Sequence, residues 1–223
     1  MPSDCHYTWS ERGGLRGTFH LSRRNIQGLD ADARRIWTSI RAELLSDDFA
    51  HMVLNIFSTH LPEAYFRGSI DRGEFRVYSA AKLLRDRPGY CHEVHVDQNA
   101  VVLNMLLYLP RTNTNGELGT ELYYPLDAQF ECGGGIHYET ERFHLHSRIA
   151  FKFGDGVCIL ATGQSFHGLY GGRPIHSGRD LLAYSIMIEQ AGRIDVIRNS
   201  YRRFQSSRGA RINPPHIGEL IER

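Results

Sequence analysis

A series of short β-type runs, each ended by turn residues, most constrains the fold of this chain. The runs lie at 75–84, 90–97, 101–109, 121–124, 149–153, 157–161 and 179–189. Pro88-Gly89 marks one turn, and Gly154-Asp155-Gly156 is a hairpin signal. Many short strands after a helical segment predict a mainly β protein with supporting α-helices. Its expected core is a double-stranded β-helix, that is, a jelly-roll or cupin-like arrangement.

Two amphipathic helices are predicted before these strands. Asp30 and Asp47 can each cap one of them, because a side-chain oxygen can accept from the free N–H groups of a first helical turn. Apolar residues recur at helical spacing, with Ile36, Ile40 and Leu44 in the first helix and Phe49, Met52, Val53, Ile56 and Phe57 in the second. A third helix is predicted at 193–204.

The length of 223 residues suits a single domain. Its expected parts are helical support at 1–74, the jelly-roll core at 75–190, and a C-terminal helix and tail at 191–223. The segment 127–148 has weak periodicity and contains Gly133-Gly134-Gly135. It is therefore predicted to be a long insertion or lid loop.

Composition and charge indicate the location and partners of the protein more than its reaction. A formal net charge of +1 gives no signature for nucleic acid or an anionic membrane. The four cysteines form no C-x-x-C pair, and the longest apolar run, 100–109, is too short to span a bilayer. We expect a cytoplasmic protein that acts on a small molecule and binds neither nucleic acid nor membrane. The sequence does not fix its oligomeric state.

Two His-x-acid triplets compete as the start of a metal site. With 12 histidines and 25 acidic residues, about one such triplet is expected by chance. His137-Tyr138-Glu139 lies in the glycine-rich stretch, whereas His95-Val96-Asp97 closes a β-type run. Alternate residues of a strand point to one face, so His95 and Asp97 would converge on one point. We therefore favour the second triplet, and expect His92 to point away from His95.

A third ligand and a cation follow later in the chain. His167 comes just after the run 157–161, and Arg179 begins the last run. Two imidazoles and one carboxylate can occupy one face of an octahedral ion, as in non-haem Fe(II) oxygenases, although zinc accepts the same ligands. Burying Arg179 requires an anion, and its planar fork suits a carboxylate.

On these residues the sequence resembles the Fe(II)/2-oxoglutarate-dependent oxygenases, on the prolyl-hydroxylase-like branch of that superfamily. The matching stretches, within 75–190, are DRPGYCHEVHVDQ, LLYLP, GTELYYP, FGDGVCILATGQSFHGL and GRDLLAYSI. The family pattern of HxD and a distal histidine matches His95, Asp97 and His167, and its basic residue matches Arg179. Many relatives continue that residue as Arg-x-Ser, whereas this chain has Leu181 at the third position.

The resemblance implies a hydroxylase that uses Fe(II), 2-oxoglutarate and O2, with ascorbate as a reductant. Its products would be succinate, CO2 and an oxidised substrate. Arg179 and Tyr108 would hold the far carboxylate of 2-oxoglutarate, with Asn104 on the same inward face. Halogenating relatives replace the motif carboxylate with a small residue, so Asp97 indicates hydroxylation.

The substrate is predicted from weaker signals. Glu93 is expected on the inward face of the ligand strand, and Arg76, Tyr123 and Arg173 are expected near the entrance. The small size of the chain favours an amino acid, sugar, nucleoside or natural-product intermediate. A peptide or protein side chain is the alternative substrate, and a non-enzymatic cupin-like metal- or sugar-binding jelly roll is the second alternative.

Overall fold

The computed structural model describes residues 1–10, 13–58, 77–98, 100–111, 116–130, 132 and 134–188. Within these ranges the strands are β1 Thr8–Trp9, β2 Arg16–His20, β3 Val77–Asp86, β4 His92–His95, β5 Val101–Tyr108, β6 Thr120–Pro125, β7 His137–Tyr138, β8 Phe143–Arg148, β9 Gly156–Leu160, β10 His167–Leu169 and β11 Arg179–Ile188. Short 3-10 turns lie at Asp4–His6, Gly116–Leu118, Thr140–Arg142 and Tyr170–Gly172.

The strands form two antiparallel sheets with jelly-roll connectivity. The first sheet has the order β1-β2-β3-β11-β5-β9, and the second has the order β7-β4-β10-β6-β8. Successive strands from β3 to β6 alternate between the sheets, and β8 to β11 return along the same path in reverse. This arrangement confirms the predicted mainly β, double-stranded β-helix class.

The space between the two sheets is filled by apolar side chains. Members of this inter-sheet cluster come from both sheets and include Leu84, Leu106, Tyr108, Leu122, Leu169 and Leu181. Strands β3 and β11 pair along ten positions, from Arg179 opposite Asp86 to Ile188 opposite Val77. This long register fixes which charged groups meet at the end of the barrel where β11 begins.

Three helices cover the outer face of the first sheet: α1 Arg23–Gln27, α2 Ala31–Leu44 and α3 Asp47–Ile56. Asp30 caps α2 as predicted, since its side chain accepts from Ala33 N. The cap of α3 is Ser46 instead of Asp47, because the Ser46 hydroxyl accepts from Phe49 N. None of the described helices is long and apolar enough to cross a membrane.

The buried faces of the two predicted helices differ from the faces that the sequence pattern indicated. Trp37 and Leu44 are buried in α2, whereas Ile36 is half exposed. In α3, Val53 and Leu54 are buried while Met52 and Ile56 are largely exposed. Contact with the sheet therefore decides which of the apolar residues are covered, since helical spacing alone allows several faces.

The segment 127–148 is not the loop that its weak periodicity predicted. It contains β7 and β8, and its apolar residues cover the outer face of the second sheet. The strand predicted at 149–153 is wrong, because β8 ends at Arg148. Gly154 does turn the chain, with φ 84°, but the strands on either side lie in different sheets, so no hairpin forms. The helix predicted at 193–204 lies outside the described residues, and the single-domain organisation stays a prediction.

Candidate metal centre and anion site

Pairing of β4 with β10 brings the two strongest candidate histidines together. His95 lies directly opposite His167, and their ring centroids are 4.3 Å apart. Asp97 follows β4, with Oδ2 3.8 Å from His167 Nε2. One ligand atom from each of these three residues lies within 4.8 Å of the others. The predicted triad (His95, Asp97 and His167) therefore converges on one point, and its role as a metal site is taken up below as a proposal.

Backbone carbonyls orient both imidazoles of the triad. His95 Nδ1 lies 2.9 Å from Glu93 O, and His167 Nδ1 lies 2.9 Å from Ser165 O. A carbonyl can only accept, so each Nδ1 carries the proton and each Nε2 keeps a free lone pair. Hydrogen bonds of this kind fix the tautomer and ring direction of metal-binding histidines.

The carboxylate of the triad has an unsatisfied oxygen. Asp97 Oδ2 is buried without a hydrogen-bond partner among the described residues. Such an oxygen costs free energy unless a donor or a cation meets it. A divalent cation bound between Oδ2 and the two Nε2 atoms would satisfy all three groups, so these residues fit a metal ion.

Asn104 contacts the carboxylate of the triad. Its Nδ2 lies 3.5 Å from Asp97 Oδ1, and its Oδ1 accepts from Ser185 Oγ at 3.0 Å. Sequence reasoning had assigned Asn104 to the cosubstrate. The contacts favour a positioning role, in which Asn104 turns Oδ2 of Asp97 toward the histidines.

Replacing Asn104 with alanine tests this positioning role. We expect Fe(II) affinity to fall by about 10- to 100-fold, the range seen when groups behind metal ligands are removed. The affinity of the metal-loaded protein for 2-oxoglutarate should stay near wild type, as measured by anaerobic calorimetry. Loss of cosubstrate affinity with metal affinity intact would instead support direct contact with 2-oxoglutarate. The partner variant Ser185→Ala should reproduce a weaker form of the metal defect.

Two further histidines, His92 and His137, surround the triad, contrary to expectation. His137 belongs to edge strand β7, where it lies opposite His95 with the rings stacked at 4.8 Å. His92 was expected to point away from His95, yet their ring centroids are 4.2 Å apart. The register between β4 and β10 shifts here. Three residue steps on β4, from His92 to His95, pair with only two steps on β10, from Leu169 to His167. That irregularity breaks the strand alternation on which the expectation depended.

The environment keeps the central imidazoles neutral. Burial lowers the pKa of His95 to about 2, with a further lowering from the neighbouring His167. Burial also lowers the pKa of His92 well below its ordinary value, and the nearby His95 adds to this. Neutral imidazole is the form that binds metal ions.

Arg179 is buried, as predicted, but an anion of the protein itself already contacts it. Its Nη1 donates to Leu118 O at 2.9 Å, and its Nε lies 3.2 Å from Asp86 Oδ2 without forming a hydrogen bond. Asp86 also accepts two hydrogen bonds from Arg16, at 2.6 and 2.9 Å. These three residues form a charged cluster, which we call the Arg16–Asp86–Arg179 group.

The Arg16–Asp86–Arg179 group carries one excess positive charge, because two guanidiniums share one carboxylate. Burial lowers the pKa of Arg179, which shows how incompletely Asp86 compensates it. For Arg16 burial also acts to lower the pKa, but the charge and hydrogen bonds of Asp86 outweigh it and the pKa is raised. A second carboxylate would balance the charge of the group.

Sequence reasoning missed a further cation, Lys82. It lies on β3 opposite Ala183, a member of the inter-sheet cluster, and so faces the barrel interior. Burial lowers the pKa of Lys82, the charge of Arg16 lowers it further, and the charge of Asp97 raises it. The interior of the barrel thus combines the carboxylate of the triad with several cations. The sequence does contain a signal for this cation, because Lys82 is a single charged residue within the otherwise apolar run AAKLL.

Tyr108 is completely buried at the end of β5, where it contacts the protein backbone. Its hydroxyl accepts from Thr120 N at 2.9 Å. Burial raises its pKa, with the Thr120 contact and the charge of Arg179 opposing the rise. The predicted contact with a cosubstrate carboxylate stays a prediction; since Thr120 N is the donor in this bond, the bond does not use the hydroxyl hydrogen of Tyr108.

The residues proposed for substrate contact are dispersed. Glu93 is exposed and packs against Gly172, while Arg173 is exposed and stacks over the Tyr170 ring at 4.7 Å. The assignment of Tyr123 to the entrance is wrong: it lies on the outer face of the second sheet, 4% exposed, and donates to Glu121 at 2.5 Å. Its neighbour Leu122 is the one opposite His167. Arg76 lies outside the described residues.

Comparisons with known proteins give fold-level matches only. No family model matches the chain, and no curated protein matches it. Similar solved structures include a prolyl-4-hydroxylase from Pseudomonas putida, at 12% identity and TM-score 0.44, covering 82% of this chain and 78% of that one. The Fe(II)/α-ketoglutarate-dependent dioxygenase TqaL is 19% identical at TM-score 0.37, covering 51% and 45%.

A third similar structure is HygX from Streptomyces hygroscopicus with iron bound. It is 13% identical at TM-score 0.33 and covers 67% of this chain and 76% of that one. All three matches lie below 25% identity and below a TM-score of 0.5.

Proposed function

We propose that this protein is a non-haem Fe(II)/2-oxoglutarate-dependent dioxygenase that hydroxylates a C–H bond of a small metabolite. The observation that carries the proposal is that one barrel contains two sites, one lacking a cation and the other lacking an anion. The triad has two oriented Nε2 lone pairs and an unsatisfied carboxylate oxygen. The Arg16–Asp86–Arg179 group has one cation more than its carboxylate can neutralise.

A divalent cation and a dianion together would satisfy both sites. His95, Asp97 and His167 would hold Fe(II) with two imidazoles and one carboxylate, the ligand set of non-haem Fe(II) oxygenases. Arg179 would hold the far carboxylate of 2-oxoglutarate, with Tyr108 donating its hydroxyl hydrogen. When bound, Fe(II) supplies the redox chemistry by which O2 and 2-oxoglutarate yield succinate, CO2 and an oxidised substrate.

The residues of the chain itself position these partners and exclude water. The carbonyls of Glu93 and Ser165 engage Nδ1 of the two triad histidines, so Nε2 is the nitrogen that each offers to the metal. Asn104 orients Asp97. The inter-sheet cluster seals the end of the barrel around Tyr108 and Arg179, which strengthens their electrostatic contacts.

The small-metabolite class is proposed from the size of the chain and the nature of the rim. Glu93 and Arg173, two of the residues expected to contact substrate, are both exposed and carry opposite charges, which suits a compact polar substrate. Amino acids, sugars, nucleosides and natural-product intermediates are the compounds to try first.

The first experiment needs no knowledge of the substrate. Under anaerobic conditions, Fe(II) and 2-oxoglutarate added together should give a visible charge-transfer absorption that neither gives alone. Admission of O2 with ascorbate should then produce succinate, measured by mass spectrometry, at a rate that a true substrate raises. Substrate panels should include a proline-containing peptide, to test the alternative of a protein side chain.

The matched control is His144→Ala, which removes an exposed histidine of β8. It should leave both signals unchanged. The absence of any charge-transfer band, together with succinate no higher than in Asp97→Ala, would refute the proposed function.

A further inference from the structure

The four histidines around the candidate metal centre offer two overlapping ligand sets. His137, His95 and His167 lie opposite one another across the neighbouring strands β7, β4 and β10. His92 joins them through the register shift of β4, with its ring 5.2 Å from that of His137. One ligand atom from each of His92, His95 and His137 lies within 4.8 Å of the others, as in the triad.

The two sets cannot be occupied at the same time, because both need His95. Glu93 O holds His95 Nδ1, so Nε2 is the one nitrogen that His95 can offer without breaking this contact. A metal ion bound by the three histidines would therefore take His95 away from Asp97 and His167.

The two sets differ in the metal ions that they suit. The triad contains a carboxylate, whereas His92, His95 and His137 supply three neutral nitrogen ligands. Imidazole ligands suit zinc, copper and nickel, and three histidines with a water molecule form a common tetrahedral zinc site. His92 Nδ1 is buried with no hydrogen-bond partner among the described residues, so a lone pair or proton there is unsatisfied.

We propose that His92, His95 and His137 form a second metal site, selective for zinc-like divalent ions, whose occupation excludes a metal ion from the triad. The site follows from the geometry alone. Its consequence, inhibition by zinc of an iron-dependent activity, rests on the proposed function.

Co(II) absorption spectroscopy can test the second site without any activity. Tetrahedral Co(II) with nitrogen ligands absorbs visible light far more strongly than octahedral Co(II), so the two sites should give different spectra. The double variant Asp97→Ala/His167→Ala retains the three histidines of the second site alone. We expect it to bind one Co(II) with the intense spectrum and to release it to added Zn(II).

Adding His137→Ala to the double variant should lower Co(II) affinity by at least about 100-fold, more than loss of a group behind a ligand usually costs. His137→Gln in the same background guards against a packing defect, and circular dichroism checks that each variant is folded. His144→Ala in that background should change nothing.

In the otherwise wild-type protein, His137→Ala should leave Fe(II) affinity near wild type and weaken competition by Zn(II). A folded double variant that binds no Co(II), or retention of full Co(II) affinity after loss of His137, overturns the second site. Either result leaves the proposed dioxygenase function standing. Conversely, failure of the succinate and charge-transfer experiments would leave a Co(II) result at the second site valid.

Discussion

Replacing Asp97 with alanine is expected to lower Fe(II) affinity by at least about 100-fold and to reduce succinate formation to background. The lower limit follows because even groups behind the metal ligands contribute about 10- to 100-fold. Asp97 supplies the negative charge of the triad, and its Oδ2 lacks a hydrogen-bond partner within the described part of the chain. Affinity must be measured with Fe(II), because zinc-like ions have the second site available.

The same variant should not destabilise the metal-free protein. Asp97 Oδ2 is buried and unsatisfied, so its removal relieves a desolvation cost that offsets the loss of the long 3.5 Å contact with Asn104 Nδ2 and of the attraction to Lys82. We expect the melting temperature of the metal-free variant to equal or exceed that of wild type. A merely structural carboxylate would show the reverse, a large stability loss with unchanged iron affinity. His144→Ala again serves as the control for both measurements.

Strand alternation explains why the triad could be found from sequence. His95 and Asp97 lie two residues apart at the end of a predicted strand, and His167 was expected from a distant strand; the structure supplies this strand as β10, with His167 directly opposite His95. Antiparallel pairing of neighbouring strands then suffices to bring the three side chains together. The fold class was predictable for a similar reason, because turn residues separate most of the strands.

The second histidine set could not be found in this way. Strand β7 has two residues, too few to show a period, and it lies in a glycine-rich stretch. The inward position of His92 depends on a register shift that no residue pattern marks. Both features depend on how β4 pairs with its neighbours, which is information about tertiary structure.

Sequence reasoning missed Asp86 as a neighbour of Arg179 for a related reason. Burial of a guanidinium indicates an anion, and the cosubstrate was the expected one. The register of β11 against β3 places Asp86 directly opposite Arg179, and β2 adds Arg16 opposite Asp86. The run predicted at 75–84 ends two residues before Asp86, and no strand was predicted at Arg16–His20, so sequence reasoning could not identify a charged group across three strands.

The Arg16–Asp86–Arg179 group leads to two variants with opposite effects. Arg179→Met leaves Asp86 neutralised by Arg16, whose contact is the shorter one. Its main expected effect is on cosubstrate binding: loss of hydrogen bonds to a carboxylate costs about 1.5–3 kcal/mol, or roughly 10- to 150-fold in the affinity for 2-oxoglutarate. Fe(II) affinity should stay near wild type. Equal loss of both affinities would refute the assigned role of Arg179.

Asp86→Asn should do the reverse. It leaves the buried guanidinium of Arg179 and the partly buried one of Arg16 without a carboxylate, and an uncompensated buried charge costs about 3–5 kcal/mol of stability. Binding of 2-oxoglutarate would bring an anion to the same place, so the stabilisation by 2-oxoglutarate, measured by thermal unfolding with Mn(II) present, should exceed that of wild type.

Arg87→Met, which removes a half-exposed arginine paired with Asp4, should cost at most about 1 kcal/mol and leave 2-oxoglutarate binding unchanged. If 2-oxoglutarate stabilises Asp86→Asn no more than wild type, its far carboxylate does not reach this group, and Lys82 becomes the cation to test.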